Sequence, residues 1–279
     1  MTVFFGLQFA LISAGGKNMQ DEMYSAFFGA MSQEAKMNTI TNNLANVNTT
    51  GYKRDKIAFE DVFTRYASDY GDPNMTLEDR LPWPESKLRS QTRPSPVHLD
   101  LQDGDMKKTG NPLDMAISGE GFFEVTTPEG ETAYTRNGSF FRHPETGHLV
   151  TGQNFELQGE GGPIEIPEDA SNIAIGENGE VLADGDLLDV INLTTFTDLN
   201  ALEKKGRQLV QVKDGADSAP IPAEDARIEQ GYLENSNVDP VYEMVNMIST
   251  MRNFEALQKM MTSSHEKDQQ LIQQVGTVR

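Results

Sequence analysis

The hydrophobic positions of this chain change period twice, and the changes divide it into helix, sheet and helix. Near the N-terminus apolar residues recur by sevens. Met23, Ala30, Met37 and Leu44 form one row; Ala26, Ile40 and Val47 form a second, with Gln33 as its polar member. This predicts a helix of ~28 residues, ~42 Å long, with a coiled-coil seam. At the other end Met244, Met251 and Ile272 share a row with Gln258 and His265, and Met247, Phe254, Met261 and Val275 share the next with Asp268. That predicts a second seam on a helix of ~37 residues and ~55 Å. Asp239 is placed to cap it, and Pro240 to be its first residue, where the missing N–H costs nothing. Neither stripe can be buried by its own helix, so the two chain ends are expected to meet.

From Gly110 to about residue 235 the period is two. Short runs such as Phe122-Phe123-Glu124-Val125, Ile164-Glu165-Ile166, Ile173-Ala174-Ile175 and Val190-Ile191-Asn192-Leu193 are separated by Gly, Asn and Pro, which predicts an all-β domain. Asn178-Gly179, between Ile175 and Val181, predicts a two-residue hairpin turn. The expected fold class is therefore mixed α and β: N- and C-terminal helices pairing as a coiled coil, with an inserted all-β domain. The expected divisions are a tail at 1–18, a helix and turn at 19–63, a connector at 64–100, the β domain at 101–235 and the last helix at 236–279. Pro73, Pro82, Pro84, Pro94 and Pro96 punctuate the connector around Trp83, the only tryptophan; they favour an extended chain containing hairpin-like pieces. A fragment of 101–235 is expected to fold alone, because its pattern and turns are self-contained.

The first helix runs into Thr41-Asn42-Asn43-Leu44-Ala45-Asn46-Val47-Asn48-Thr49-Thr50-Gly51-Tyr52-Lys53. Asparagine competes for backbone groups inside a helix and tolerates the left-handed conformation that ends one, and Gly51 adds a cheap positive φ. Four asparagines exceed what a stop requires. Two readings follow: a generous C-cap, or a turn whose amides reach a neighbouring subunit.

Residues 42–53 resemble the N-terminal signature of the bacterial flagellar rod and hook proteins. Asn111-Pro112-Leu113-Asp114 with Gly119-Glu120-Gly121-Phe122-Phe123, and Tyr134-Thr135-Arg136-Asn137-Gly138-Ser139-Phe140, resemble the shared β domain of that family. Gly231-Tyr232-Leu233-Glu234-Asn235-Ser236-Asn237-Val238-Asp239 resembles its second signature. The resemblance covers roughly 19–63 and 101–275. It implies a structural subunit of the basal-body rod, exported through the flagellar apparatus without a cleaved signal. Such a subunit assembles through its terminal helices, with copies of itself and other rod subunits, into a torque-transmitting tube across the periplasm. The residues expected at the assembly interface are Met23, Met37, Ile40, Asn43, Leu44, Asn46, Val47, Asn48, Gly51, Tyr52, Asn237, Met244, Met247, Met251, Phe254 and Met261. Met247-Ile248-Ser249 and Arg252-Asn253-Phe254-Glu255 look more like the proximal rod members than the distal ones, while the 64–100 connector departs from both. Family sequences usually begin near the position of Met19. Residues 1–18 are apolar with no Lys or Arg before the apolar run, unlike a secretory signal, and are read as an extension or disordered tail.

Composition narrows the alternatives. The chain has 279 residues and a net charge of −20, which argues against nucleic acid or an anionic membrane as partner. Between 111 and 235 stand 24 acidic and 7 basic residues, so the charge lies on the β domain. There is no cysteine, which excludes disulfides and thiol chemistry. No apolar run approaches the ~18 residues of a transmembrane helix. His98, His143, His148 and His265 are scattered, and neither Asp103-Gly104-Asp105 nor Asp184-Gly185-Asp186 has the ligand spacing of a calcium loop. Pairs of acids that could serve a glycosidase arise by chance among 43 carboxylates. No cofactor, metal or enzymatic activity is expected. The alternative within the family is a distal rod or hook-type subunit; the alternative of another class is an extracellular hydrolase or adhesin with a helical stalk.

Overall fold

The computed structural model describes residues 3–66, 87–94, 98–206, 208–213 and 215–276. The class is mixed: two long helices, α1 (Val3–Ala45) and α2 (Pro240–Gly276), flank a series of short antiparallel strands. The chain forms two compact units. One comprises Met1–Thr39, Ile57–Pro96 and Val245–Arg279; the other comprises Ile40–Lys56 and Val97–Met244.

In the first unit α1 runs unbroken from Val3 through Met19. Ala26 and Ala30 are buried on it, and beside them Gly29 faces α2: a Cβ on Gly29 would lie 3.3 Å from Leu257 Cδ1. Small residues thus line α1 where the helices touch. This unit also holds a hairpin, Phe59–Tyr66 against Lys87–Pro94, in eight registered pairs from Phe59–Pro94 to Tyr66–Lys87. The hairpin-like pieces expected in the connector include this one, and its first strand straddles the expected boundary at residue 63. Trp83, Pro73, Pro82, Pro84 and Pro96 lie outside the described residues.

The second unit is built on a ten-stranded antiparallel sheet. Its main path runs Leu202–Lys205, Leu209–Val212, Thr132–Thr135, Phe122–Thr126, Glu156–Gly159, Leu149–Thr151, Phe140–Arg142. Alternation along Phe122–Thr126 feeds two clusters. Phe123 and Val125 join Met115, Ile117, Phe140, Leu149, Leu157 and Ile228, with Phe123 edge-on to Phe140 at 5.4 Å. Phe122 points the other way, to Phe196, Leu202 and Val210. The Ile173–Ile175 and Glu180–Ala183 hairpin forms with Ile175 opposite Val181, as the Asn-Gly pair suggested. Gly176 N–H bonds Glu180 O at 2.8 Å, so three residues, 177–179, turn the chain rather than two. Gly179 N–H bonds Gly176 O, and of the loop residues only Gly179 has a positive φ, so the turn is a simple one closed by a left-handed glycine.

Both helix ends at this unit have local causes. Asn46 N–H to Asn43 O and Val47 N–H to Leu44 O tighten the last turn of α1, so Val47 lies just past the helix. Asp239 caps α2: its Oδ1 accepts from the Val241 and Tyr242 amides at 2.9 and 3.1 Å, with Pro240 as first residue.

Candidate functional site: the junction of the chain ends

Four consecutive charges, Lys53-Arg54-Asp55-Lys56, follow the asparagine turn. A charge run is usually a solvated face, but here each side chain is paired with an opposite charge from elsewhere in the chain. The Lys53 ammonium lies 2.7 Å from Glu234 Oε1 and donates to the Gln102 carbonyl at 2.8 Å. Arg54 pairs with Asp100 at 2.9 Å and approaches Glu243, on the first turn of α2, at 3.8 Å. Asp55 pairs with Lys204 at 2.7 Å, and Lys56 with Asp100 at 2.8 Å.

The centre is a buried cluster of two cations and one carboxylate. Arg136, from the segment after strand Thr132–Thr135, reaches the second oxygen of Glu234 at 3.5 Å and donates to the Ile117 and Gly119 carbonyls. Lys53, Arg136 and Glu234 side chains are 3%, 4% and 1% exposed, while Asp103, 52% exposed, faces both cations at 3.6 and 3.7 Å. Glu234 also accepts from Gly104 N–H at 2.8 Å. Burial pulls the Lys53 ammonium and the Arg136 guanidinium below their ordinary pKa values, and Glu234 opposes the shift in both. For Lys204 burial likewise lowers the pKa against Asp55; its ammonium sits 3.7 Å over the Tyr52 ring. Burial and Asp55 push the Tyr52 phenol up.

Backbone bonds stitch the same place. Gly51 N–H donates to Glu234 O at 2.8 Å, and Arg54 N–H to Asn237 Oδ1 at 2.7 Å. Asn237 in turn donates to the Asp100 and Gln102 carbonyls. Gly51 has φ +66°, and a Cβ there would lie 2.4 Å from the Arg136 carbonyl carbon. Gly138 is equally tight: its Cβ would fall 1.5 Å from Met115 O.

The expected interface residues therefore divide. Asn43 and Asn46 are buried and their amides are used inside the chain. Asn43 Oδ1 accepts from Tyr52 Oη and Asp55 N–H, and its Nδ2 donates to Asp55 O. Asn46 Nδ2 donates to Asn42 O, and its Oδ1 accepts from Thr49. Of the two readings of the turn, these bonds favour the generous cap. Ile40, Gly51, Tyr52 and Asn237 belong to the same junction, the first three buried and Asn237 half-buried. Met37, Leu44, Val47, Met247, Phe254 and Met261 are half-buried, and Met23, Asn48, Met244 and Met251 are exposed. Lys53, Arg136 and Glu234 stood inside motifs but were not singled out, and Asp100, Asp103 and Lys204 carried no local signal. The one available clue was Glu234 at an inward step of a period-two strand. A separate groove of about 500 Å³ is lined by Glu124, Glu160, Glu224, Asn192 and Pro220–Pro222, and Asn192 Nδ2 lies 3.5 Å from Glu124 Oε2.

An ion cluster closed on itself, with each buried charge tied to backbone and to an opposite charge, does the work of a structural clamp. It defines a protein in which the segment after α1, the segment before α2 and the sheet are tied into one compact unit. The comparisons agree. "Flagella basal body rod protein" matches residues 23–53, "Flagellar hook protein FlgE/F/G D1 domain" matches 116–183, and "Flagellar basal body rod FlgEFG protein C-terminal" matches 229–274. The flagellar basal-body rod protein FlgG of Buchnera aphidicola subsp. Acyrthosiphon pisum is 38% identical over 258 residues, covering 88% of this chain and 96% of that protein. FlgG of Bacillus subtilis is 33% identical, covering 91% and 98%, and FlgF of Caulobacter vibrioides is 33% identical, covering 93% and 100%. The chain belongs to the flagellar basal-body rod protein family. Each of the three matched segments contributes one buried charge of the cluster: Lys53, Arg136 and Glu234.

Proposed function

We propose that this chain is a structural subunit of the bacterial flagellar rod, in which terminal helices assemble with neighbouring copies and other rod subunits while the junction passes load into the β unit. The observation that carries this is the Lys53–Glu234–Arg136 cluster. It holds the last turn of α1 and the first turn of α2 in one compact unit with the sheet, so torque applied to the helix ends meets no hinge there. The approach of Gly29 to Leu257 supports the pairing of α1 with α2 as a coiled coil. Met23, Met244 and Met251 remain open to a neighbour, and methionine suits contacts that repack between inequivalent partners.

The finer reading places the subunit in the proximal rod, within the periplasm, exported without a cleaved signal. The support for the proximal rod is the methionine-rich α2 sequence; a relative named FlgF matches at 33% and relatives named FlgG at 33% and 38%, so complementation of strains lacking one or the other decides between them. The named relatives, all rod proteins, lend no support to the catalytic alternative.

The test of the rod reading is Phe254→Asp, which puts a charge on a half-buried seam position of α2. The melting transition of the β unit is expected to stay unchanged and the protein to persist in cells, while the variant disappears from purified basal bodies and motility is lost. Basal bodies that contain the variant at normal levels would overturn the reading. Leu44 is the poorer test position, because it lies in the turn of α1 that belongs to the β unit.

A further inference from the structure

Two asparagines in this chain are followed by glycine, at Asn137-Gly138 and Asn178-Gly179. In such a pair the side-chain amide can reach the next backbone nitrogen with little hindrance, because glycine has no Cβ in the way. The fold treats the two pairs in opposite ways.

Asn137 is buried. Its Oδ1 accepts from Thr50 Oγ1 at 2.8 Å and from Ser139 N–H at 3.1 Å, and its own N–H donates to Thr135 Oγ1 at 3.1 Å. Gly138 is pressed against the Met115 backbone, and its carbonyl accepts from Met115 N–H at 2.9 Å. Turning the Asn137 amide towards the Gly138 nitrogen would break the bonds to Thr50 and Ser139 and leave buried polar groups unpaired.

Asn178 stands in the turn between Ile173–Ile175 and Glu180–Ala183 and is exposed. Among the described residues nothing bonds its side-chain amide. Its neighbours are anchored: Glu177 O accepts from Ile228 N–H at 2.9 Å, and Gly179 O from Ile191 N–H at 2.8 Å. The Gly179 nitrogen itself is held by one bond, to Gly176 O at 3.0 Å. That bond alone has to open for the nitrogen to meet the Asn178 amide, and the hairpin around it can stay in place. Asn178 also stands at the acidic groove, which Glu124, Glu160 and Glu224 line with it.

We propose that Asn178 is a self-modification site, deamidating through Gly179 in the folded protein, and that the fold protects Asn137 from the same reaction. The Gly179 nitrogen gives its proton to hydroxide and attacks the Asn178 side-chain carbon. The new N–C bond closes a succinimide ring, and the amide nitrogen takes a proton from water and leaves as ammonia. Water then opens the ring at either carbonyl. One opening leaves aspartate; the other leaves isoaspartate, in which the side-chain CH2 has become part of the backbone. No oxidant or reductant is consumed. Both products add a negative charge at the groove. Isoaspartate also lengthens a turn whose two ends are fixed by the Ile228 and Ile191 amides. The reaction concerns the β unit alone and does not depend on the rod reading.

The full chain, held folded in mildly alkaline buffer and sampled over time, tests this by peptide mapping. The mass gained when –NH2 becomes –OH is followed at each Asn-Gly pair. Asn178 should convert at least about tenfold faster than Asn137, because Asn137 reacts only when its buried segment opens. The product should contain isoaspartate as well as aspartate. In urea the two pairs should convert at similar rates. A more acidic species should grow on anion exchange in step with the modified peptide. It should be missing from Asn178→Gln, which should melt like the parent because the side chain it replaces is exposed and unbonded. Equal rates at the two pairs in the folded chain would show that the fold does not discriminate between them. Conversion of Asn178 in urea only would show that the turn locks it. Conversion in neither state would show that the pair does not react. Each of these overturns the proposal.

Discussion

The Lys53 ammonium and the Glu234 carboxylate lie 2.7 Å apart, although 181 residues separate them in the chain. Both are almost wholly buried, and Arg136 stands on the far oxygen of the same carboxylate. Removing one member of a buried pair leaves a charge without compensation, which costs far more than the pair itself contributes. Lys53→Met and Glu234→Gln should each lower stability by about 3–5 kcal/mol. The double variant should lose less than the sum, because no bare Glu234 charge remains and Arg136 keeps Asp103. Urea unfolding with unchanged m-values measures this; additive losses, or single losses below about 0.5 kcal/mol, would mean that the cluster does not clamp the ends.

Gly51 is required twice, by its left-handed φ and by the Arg136–Asn137 backbone against it. Gly51→Ala should combine roughly 1–2 kcal/mol of left-handed strain with roughly 1–3 kcal/mol of overpacking. Gly110→Ala is the control, since that glycine shares a positive φ but has nothing within 4 Å of its Cβ position. Thermal melts of the two variants should differ by the overpacking component, and equal melts would show that the close approach is not felt.

Acid should loosen the junction through Asp100. Burial alone would raise its pKa, but the hydrogen bonds from Lys56 and Arg54 outweigh it and hold the carboxyl below its usual value. A carboxyl depressed in the folded state stabilises fully above its unfolded pKa, about 3.9. That contribution is lost as pH falls through the folded value, because the unfolded chain binds the proton first. Asp100→Asn should therefore be less stable than the parent at neutral pH, and the gap should narrow below about pH 4. A gap that stays constant between pH 7 and pH 3 in urea titrations would refute this assignment.

The β unit should need the chain on both sides of it. Lys56 pairs directly with His98, so a short turn can join them and delete 57–97. A chain of 40–244 with that turn should melt cooperatively and well above a 101–235 fragment, which keeps Glu234 but lacks Lys53. Equal melting temperatures by circular dichroism would show that the sheet is self-sufficient, as its own pattern and turns suggest.

Local chemistry was readable from the residues alone. The Asp239–Pro240 cap, the helix that follows it, the period-two runs and the Ile175–Val181 hairpin each depend on neighbours a few positions away. The family signatures were readable too, since they are contiguous strings. The tertiary structure decided what those strings are for. Lys53-Arg54-Asp55-Lys56 has the composition of a solvated run, and only the return of the chain at Asp100, Lys204 and Glu234 supplies the opposite charges that pair it and let Lys53 be buried. The asparagine amides could serve this chain or a neighbour equally well until Tyr52 and Asp55 folded back onto Asn43. The heptads likewise marked both helices as sticky, but exposure alone separated the face touching Gly29 and Leu257 from the outward stripe of Val245 and Ile248. A periodicity records which residues share a side of a helix; which side is already covered depends on where the rest of the chain lies.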